Sequence, residues 1–304
     1  MKIRMLQIDA FADALFQGNP AGVCPLDTWL PDATMQSIAA ENNLAETAFF
    51  VGGKGHYAIR WFTPEIEIDL CGHATLASAY MLFNESEAHA VELEFNSRSG
   101  PLRVLREGDW LTLDFPNREV DLCETPPELV MALGTEPVSC HKGVDFLVEL
   151  KDERTVRKLR PDFRRLAELE CRGVMVTAPG DNTDFVCRFF APRMGIDEDP
   201  VTGSAYCTLA PHWAAKLGKI KLTARQVSRR GGSVHCRIEQ DRVFISGKAV
   251  LYLDGFITEA ELKDHVKSYL ARFKVPREVI FLEELPRNAT GKILKRELAD
   301  WQAV

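Results

Sequence analysis

The chain has 304 residues, 46% of them hydrophobic, and a formal net charge of −7. That length gives room for two domains with sizeable cores, and the acidic balance argues against nucleic-acid binding, which leaves a basic footprint. No run approaches the roughly 20 apolar residues of a membrane span, and Met1–Asp9 alternates like a strand instead of carrying an apolar signal core. A cytoplasmic protein acting on small molecules is therefore expected. The eight cysteines are scattered, with no Cys-x-x-Cys pair and no zinc-like spacing, and are read as reduced thiols.

In chain order, Ala48–Val51 has strand character and Tyr57–Phe62 alternates. A proline-marked turn leads to Gly72 and the apolar helical stretch Ala74–Leu82. Trp110–Phe115 and Asp184–Phe190 read as further strands. A second proline turn then leads to Gly203 and a helix over Ala205–Leu217, in which Pro211 predicts a kink. Arg242–Ser246 closes the series as a strand.

The most informative feature is an internal match. Arg60-Trp61-Phe62-Thr63-Pro64 followed by Ile68-Asp69 reappears as Arg188-Phe189-Phe190-Ala191-Pro192 followed by Ile196-Asp197, and both copies continue into Gly-polar-Ala, Gly72-His73-Ala74 and Gly203-Ser204-Ala205. The offset is too long for a solenoid unit. It predicts an α+β protein of two pseudo-symmetric halves, residues 1–117 and 118–257, each a curved sheet wrapping an apolar helix. Two glycine-preceded helix starts would then face each other across the junction. Their unpaired N–H groups and helix dipoles make such ends anion sites, and glycine admits a ligand close to the backbone.

The halves differ in their reactive groups, as a shared site requires. Glu46, Cys71 and His73 come from the first half, and Asp199 and Ser204 from the second. Glu46 precedes an apolar strand. Flanked by Leu44, Phe49 and Phe50, it reads as a partly desolvated base suited to proton transfer. Aligning residues 48–51 with 174–177 sets Arg172 opposite it, which favours a single base over a symmetric pair. Each group also has a plainer reading: Glu46 as a surface acid, His73 and the acids 197–199 as helix caps. A racemase built on two thiols would need a partner for Cys71, and Val201-Thr202 offers none, so Cys71 is read as a lining residue.

Five spaced segments give these residues a family. Asp9-Ala10-Phe11 with Gly18-Asn19-Pro20-Ala21, then Ala45-Glu46-Thr47-Ala48-Phe49, Leu70-Cys71-Gly72-His73-Ala74-Thr75, and Asp199-Pro200-Val201-Thr202-Gly203-Ser204-Ala205 together resemble the PhzF-like phenazine-biosynthesis family over about residues 1–257. The resemblance implies the two-domain fold of diaminopimelate epimerase, each domain a sheet or barrel curled around a central helix, and a homodimer. It implies cofactor-independent proton transfer on a small carboxylate, with no metal, Glu46 as general acid/base and His73, Asp199 and Ser204 assisting. Gly72 and Gly203 would present backbone N–H groups, and Asn19 and Cys71 would line the cleft. A non-catalytic ligand- or protein-binding module on the same fold is the alternative.

Residues 258–304 resemble something else. An amphipathic helix over 261–270, a strand over 278–282 and Leu285-Pro286-Arg287-Asn288-Ala289-Thr290-Gly291-Lys292-Ile293 look like the last part of the C-terminal lid of acyl-CoA synthetases and other adenylating ligases. No segment of these 304 residues resembles the ATP-binding domain of those ligases. An added structural segment, not ligase chemistry, is expected.

Overall fold

The computed structural model describes residues 2–258; the expected helix at 261–270, the strand at 278–282 and Lys292 lie outside the described residues. The first half runs β1 (Lys2–Ala10), β2 (Asn19–Pro25), α1 (Asp32–Asn42), β3 (Glu46–Gly53), β4 (His56–Phe62), β5 (Glu67–Ile68), α2 (Gly72–Asn84), β6 (Glu92–Ser97), β7 (Gly100–Glu107) and β8 (Trp110–Pro116). β1 is antiparallel to β2, β2 parallel to β3, and β3 antiparallel to β4. β4 is antiparallel to β5 and parallel to β6, and β6, β7 and β8 form a meander. Parallel neighbours need a long crossover, and α2 supplies it between β4 and β6.

After β9 (Asp121–Leu122) and α3 (Pro127–Leu133) come β10 (Ser139–Lys142), β11 (Phe146–Glu149), α4 (Glu153–Lys158), α5 (Phe163–Glu168), β12 (Val174–Pro179), β13 (Phe185–Ala191), β14 (Ile196–Asp199), α6 (Tyr206–Leu217), β15 (Lys221–Gln226), β16 (Gly232–Glu239) and β17 (Arg242–Gly247). Their pairings repeat the first half's order and directions, with α6 as the crossover between β13 and β15. β8 pairs with β17, and β18 (Ala249–Thr258) returns to pair with β1. The chain is thus an α+β fold on a mixed sheet.

The strand registers correct the sequence alignment twice. Thr47 lies opposite Phe62, and Val174 opposite Phe190, so the counterpart of Glu46 is Gly173 and not Arg172. A one-residue slip reverses the face of every side chain in a strand. Arg172 instead pairs with Asp145, and a Cβ on Gly173 would collide with the Phe189 ring. The second correction concerns the insertion. Trp61 faces Ile68 and Phe189 faces Asp199, which places the three extra residues at the Pro192–Met194 turn, before Ile196. Asp199, not Ile196, therefore stands where Ile68 stands. The ion pairs agree: Arg60 forks onto Glu67 at 2.7 Å, and Arg188 onto Glu198 at 2.7 and 2.9 Å.

α2 carries no Asp, Glu, Lys or Arg and is buried along most of its length, with His73 in its first turn, as expected of a largely apolar helix. It shares one continuous core with α6, in which Trp61, Phe95, Phe185 and Trp213 are fully enclosed. Pro211 lies inside α6, where it cannot donate to the Cys207 carbonyl one turn back. The backbone N–H of Arg118 donates to that carbonyl instead, at 2.9 Å, so the missing helical bond is replaced from the segment joining the halves.

Candidate active site

α2 starts at Gly72, with Cys71 extended before it, and a 3-10 turn over Gly203–Ala205 starts the run into α6. Neither Cys71 nor Thr202, the residue before each start, makes a side-chain capping hydrogen bond among the described residues, which leaves first-turn N–H groups available to a ligand. A Cβ on Gly203 would sit 3.9 Å from the Gly72 Cα and 3.7 Å from the Phe11 ring. The two helix starts therefore meet backbone to backbone, as the repeat predicted. Phe11 closes the floor beneath them. It is buried and held at φ 58°, an outlying conformation for a bulky residue.

Glu46, the first residue of β3, points at α2. Its Oε2 lies 3.0 Å from Nε2 of His73, and the two side chains are 12% and 7% exposed. The ring N–H is not directed along that line, however, so neither atom has a hydrogen-bond partner among the described residues; the same holds for Oδ1 of Asn19. On the other side of the ring, Nδ1 lies 3.5 Å from the Cys71 thiol. Asn19 donates through Nδ2 to Asp199 Oδ1 at 2.7 Å and to the Val201 carbonyl at 3.0 Å, linking the first half to the second. Both of its amide hydrogens are then used, so its 3.4 Å approach to His73 is a contact and not a third hydrogen bond.

Asp199 also accepts from Thr202 Oγ1 at 2.5 Å. Buried Gln226 fastens this turn, donating to the Asp199 carbonyl at 2.8 Å and accepting from the Thr202 N–H at 2.9 Å. Thr202 and Gln226 were not assigned from sequence. Thr202 lay within the recognised motif, whereas Gln226, 24 residues away, carried no signal. Ser204 takes the position corresponding to His73, half-exposed beside Gly203, with no side-chain hydrogen bond among the described residues.

Burial pushes the Asp199 carboxyl up to about 6; the Glu46 charge adds to this, while His73 and the bonds from Thr202 and Asn19 oppose it. Burial works against charge on His73, yet Cys71 and Glu46 more than offset it and raise the imidazole well above its ordinary value. The Cys71 thiol is itself raised, mainly by burial, and so has the character of a lining group and not of an activated nucleophile. Donor atoms of Glu46, Cys71 and His73 lie within 4.8 Å of one another, a mixed oxygen, nitrogen and sulfur set of the kind that suits zinc.

The raised Asp199 value has a consequence for stability. The folded state holds this proton more tightly than the unfolded chain does, so stability falls as pH rises from about 4 to about 6, and the loss is complete above that. Asp199→Asn cannot ionise. It is expected to gain on the order of 2 kcal/mol on wild type between pH 4 and pH 7, measured by urea unfolding at the two pH values; parallel stability curves would contradict this.

Two surface cavities lie elsewhere, of about 460 and 540 Å³, sharing Arg118 and Thr208 in their walls. Their buried acids are already matched: Asp145 by Arg172, and Glu149 by His212 and Lys216. Among the described residues five buried side-chain polar atoms lack a partner; Trp61 Nε1 and His141 Nδ1, the latter on a residue lining the second cavity, are separate cases, whereas Glu46, His73 and Asn19 fall together, and that clustering marks the candidate site.

The family model for phenazine biosynthesis-like proteins matches residues 8–255, and that for the C-terminal domain of AMP-binding enzymes matches residues 243–292. An uncharacterized isomerase of Pseudomonas aeruginosa is 53% identical over 255 residues, covering 84% of this chain and 98% of its own. The crystal structure of a PhzF-family phenazine biosynthesis protein from Enterococcus faecalis superposes with a TM-score of 0.83 at 48% identity, covering 85% of this chain and all of that one. A hydroxyproline epimerase from Agrobacterium vitis, solved with bound trans-4-hydroxy-L-proline, shares the fold at 11% identity, with a TM-score of 0.53 over 84% of this chain and 91% of that one. The chain belongs to the phenazine biosynthesis-like (PhzF) family.

Proposed function

We propose that the chain is a cofactor-independent isomerase or epimerase acting on a small carboxylate, with Glu46 as general acid/base. The observation that carries this reading is the nearly buried Glu46–His73 pair beside the two helix starts at Gly72 and Gly203. The substrate carboxylate would lie against the paired helix starts at Gly72 and Gly203 and take their N–H groups. Glu46 would accept a proton from carbon, the electron pair delocalising toward the bound acid group, and would return the proton to another carbon or to the other face. His73 and Asp199 would hold the substrate's polar atoms, Asn19 would fix Asp199, and Ser204 would complete the rim from the second half.

The same reading treats residues 1–117 and 118–257 as pseudo-symmetric domains, each a barrel-like sheet around α2 or α6, assembled as a homodimer. The repeated pairing order supports the division. The isomerase name of the Pseudomonas relative supports the chemistry. In deuterium oxide, the protein is expected to wash solvent deuterium into one carbon of a cyclic or amino-acid carboxylate, read by proton NMR. No exchange across a broad panel of such acids would leave the binding-module reading in its place.

A further inference from the structure

Two of the eight cysteines scattered through the sequence meet in the fold. β9 runs antiparallel to β10 with Leu122 opposite His141 and Asp121 opposite Lys142, a register that sets Cys123 directly across from Cys140. The Cys123 N–H donates to the Cys140 carbonyl at 2.9 Å, and the two sulfurs are 3.6 Å apart. Directly opposed residues of an antiparallel pair have Cα atoms roughly 4.5–5.5 Å apart, inside the span of roughly 4.4–6.8 Å that a disulfide bridges. The thiols can therefore join with little movement of either strand. Their surroundings differ. Cys140 is 1% exposed, in the smaller core that takes in residues of α3, α4 and α5, whereas Cys123 is only partly buried, which gives a small oxidant access to it.

We propose that Cys123 and Cys140 form a reversible dithiol–disulfide site that takes a hydroperoxide as its oxidant. The Cys123 sulfur, as thiolate, attacks one peroxide oxygen and breaks the O–O bond, giving a sulfenic acid and a hydroxide that leaves as water. The Cys140 sulfur then attacks Cys123, the S–S bond forms, and the sulfenic oxygen leaves as a second water. Two thiols and one hydrogen peroxide thus give one disulfide and two waters. The order of attack follows burial. Burial and then the adjacent Cys123 thiol push the Cys140 thiol up to about 12, against the influence of Thr125 and Lys142, so Cys140 stays protonated while Cys123 reacts; oxidation of Cys123 removes the share of this shift that its thiol causes. β9 is two residues long and both are exposed. The new bond would fasten this short strand, and with it the segment that joins the halves, to β10. No residue of the Glu46–His73 cluster takes part, so the site is separate from proton transfer.

Peptide mapping tests this. The purified full chain, with Cys123→Ser and Cys140→Ser in parallel, is treated with hydrogen peroxide under native conditions, alkylated, digested without reduction and read by mass spectrometry. The unsubstituted chain is expected to lose two hydrogens, to yield a peptide pair linked through Cys123 and Cys140, and to return to its starting mass in dithiothreitol; neither variant should yield that pair. Cys140→Ser, which lacks the second thiol, is expected to stop at a sulfenic acid on Cys123 that dimedone traps. Sulfinic acid on Cys123 beside a free Cys140 thiol in the unsubstituted chain overturns the proposal. So does a bridge from either cysteine to any other, Cys171 included, or survival of both as thiols.

Discussion

Glu46→Gln is expected to slow proton exchange and turnover together by about 10²–10⁴-fold, the usual contribution of a positioned general base, with little change in KM and a preserved fold. Glutamine keeps the shape of the side chain and loses the capacity to take a proton. The size and symmetry of the effect follow from the second half. In a two-base racemase, deleting one base stops exchange from one hand of the substrate and leaves the other. Here Gly173 holds the corresponding position and the Phe189 ring fills the space beside it, so no second carboxylate takes over there. Exchange measured from each stereoisomer or double-bond isomer should therefore fall in both directions. Wild-type exchange in the variant would remove Glu46 from the mechanism, and loss in one direction alone would assign a second base, with Asp199 the first group to test.

Much of this asymmetry was legible in the chain, and its errors are instructive. Arg60-Trp61-Phe62 and Arg188-Phe189-Phe190 gave away the duplication because each arginine must reach a glutamate across a hairpin while the aromatics fill a core. Those demands keep residue types in place. The segment 48–51 against 174–177 slipped by one residue, since in a run apolar at nearly every position hydrophobicity does not fix register. Ile196-Asp197 matched Ile68-Asp69 by composition alone, because the inserted turn restores the spacing. Glu46, His73, Asn19 and Asp199, singled out through motifs, are brought together in the fold as the candidate site. Gln226 and Arg230 were not found. They act on backbone groups of distant turns, and a long polar side chain near a strand end looks the same in sequence whether it faces water or a carbonyl.

Arg230→Met is expected to cost on the order of 3 kcal/mol in urea unfolding and to depress activity as well. Arg230 donates to the carbonyls of Gly18 at 2.8 Å and Gln17 at 2.9 Å and to Asp9 Oδ1 at 2.8 Å, while the Gly18 N–H donates to the Gly231 carbonyl at 2.7 Å. This second-half turn thus clamps the residues immediately before Asn19. Asp9 is 1% exposed and would keep, among the described residues, only the Phe16 N–H as a partner, and an uncompensated buried carboxylate costs roughly 3–5 kcal/mol. The partial exposure of Arg230, 29%, places the expected loss at the lower end. Asp9→Asn in the Arg230→Met background removes the stranded charge and should recover most of the stability. It should not recover activity, because Asn19, freed from the clamp, would no longer hold the Asp199 carboxyl in place. A double variant restored in both respects would show that Arg230 serves the fold and not the site, and an Arg230→Met protein as stable as wild type would show that the clamp carries no weight at all.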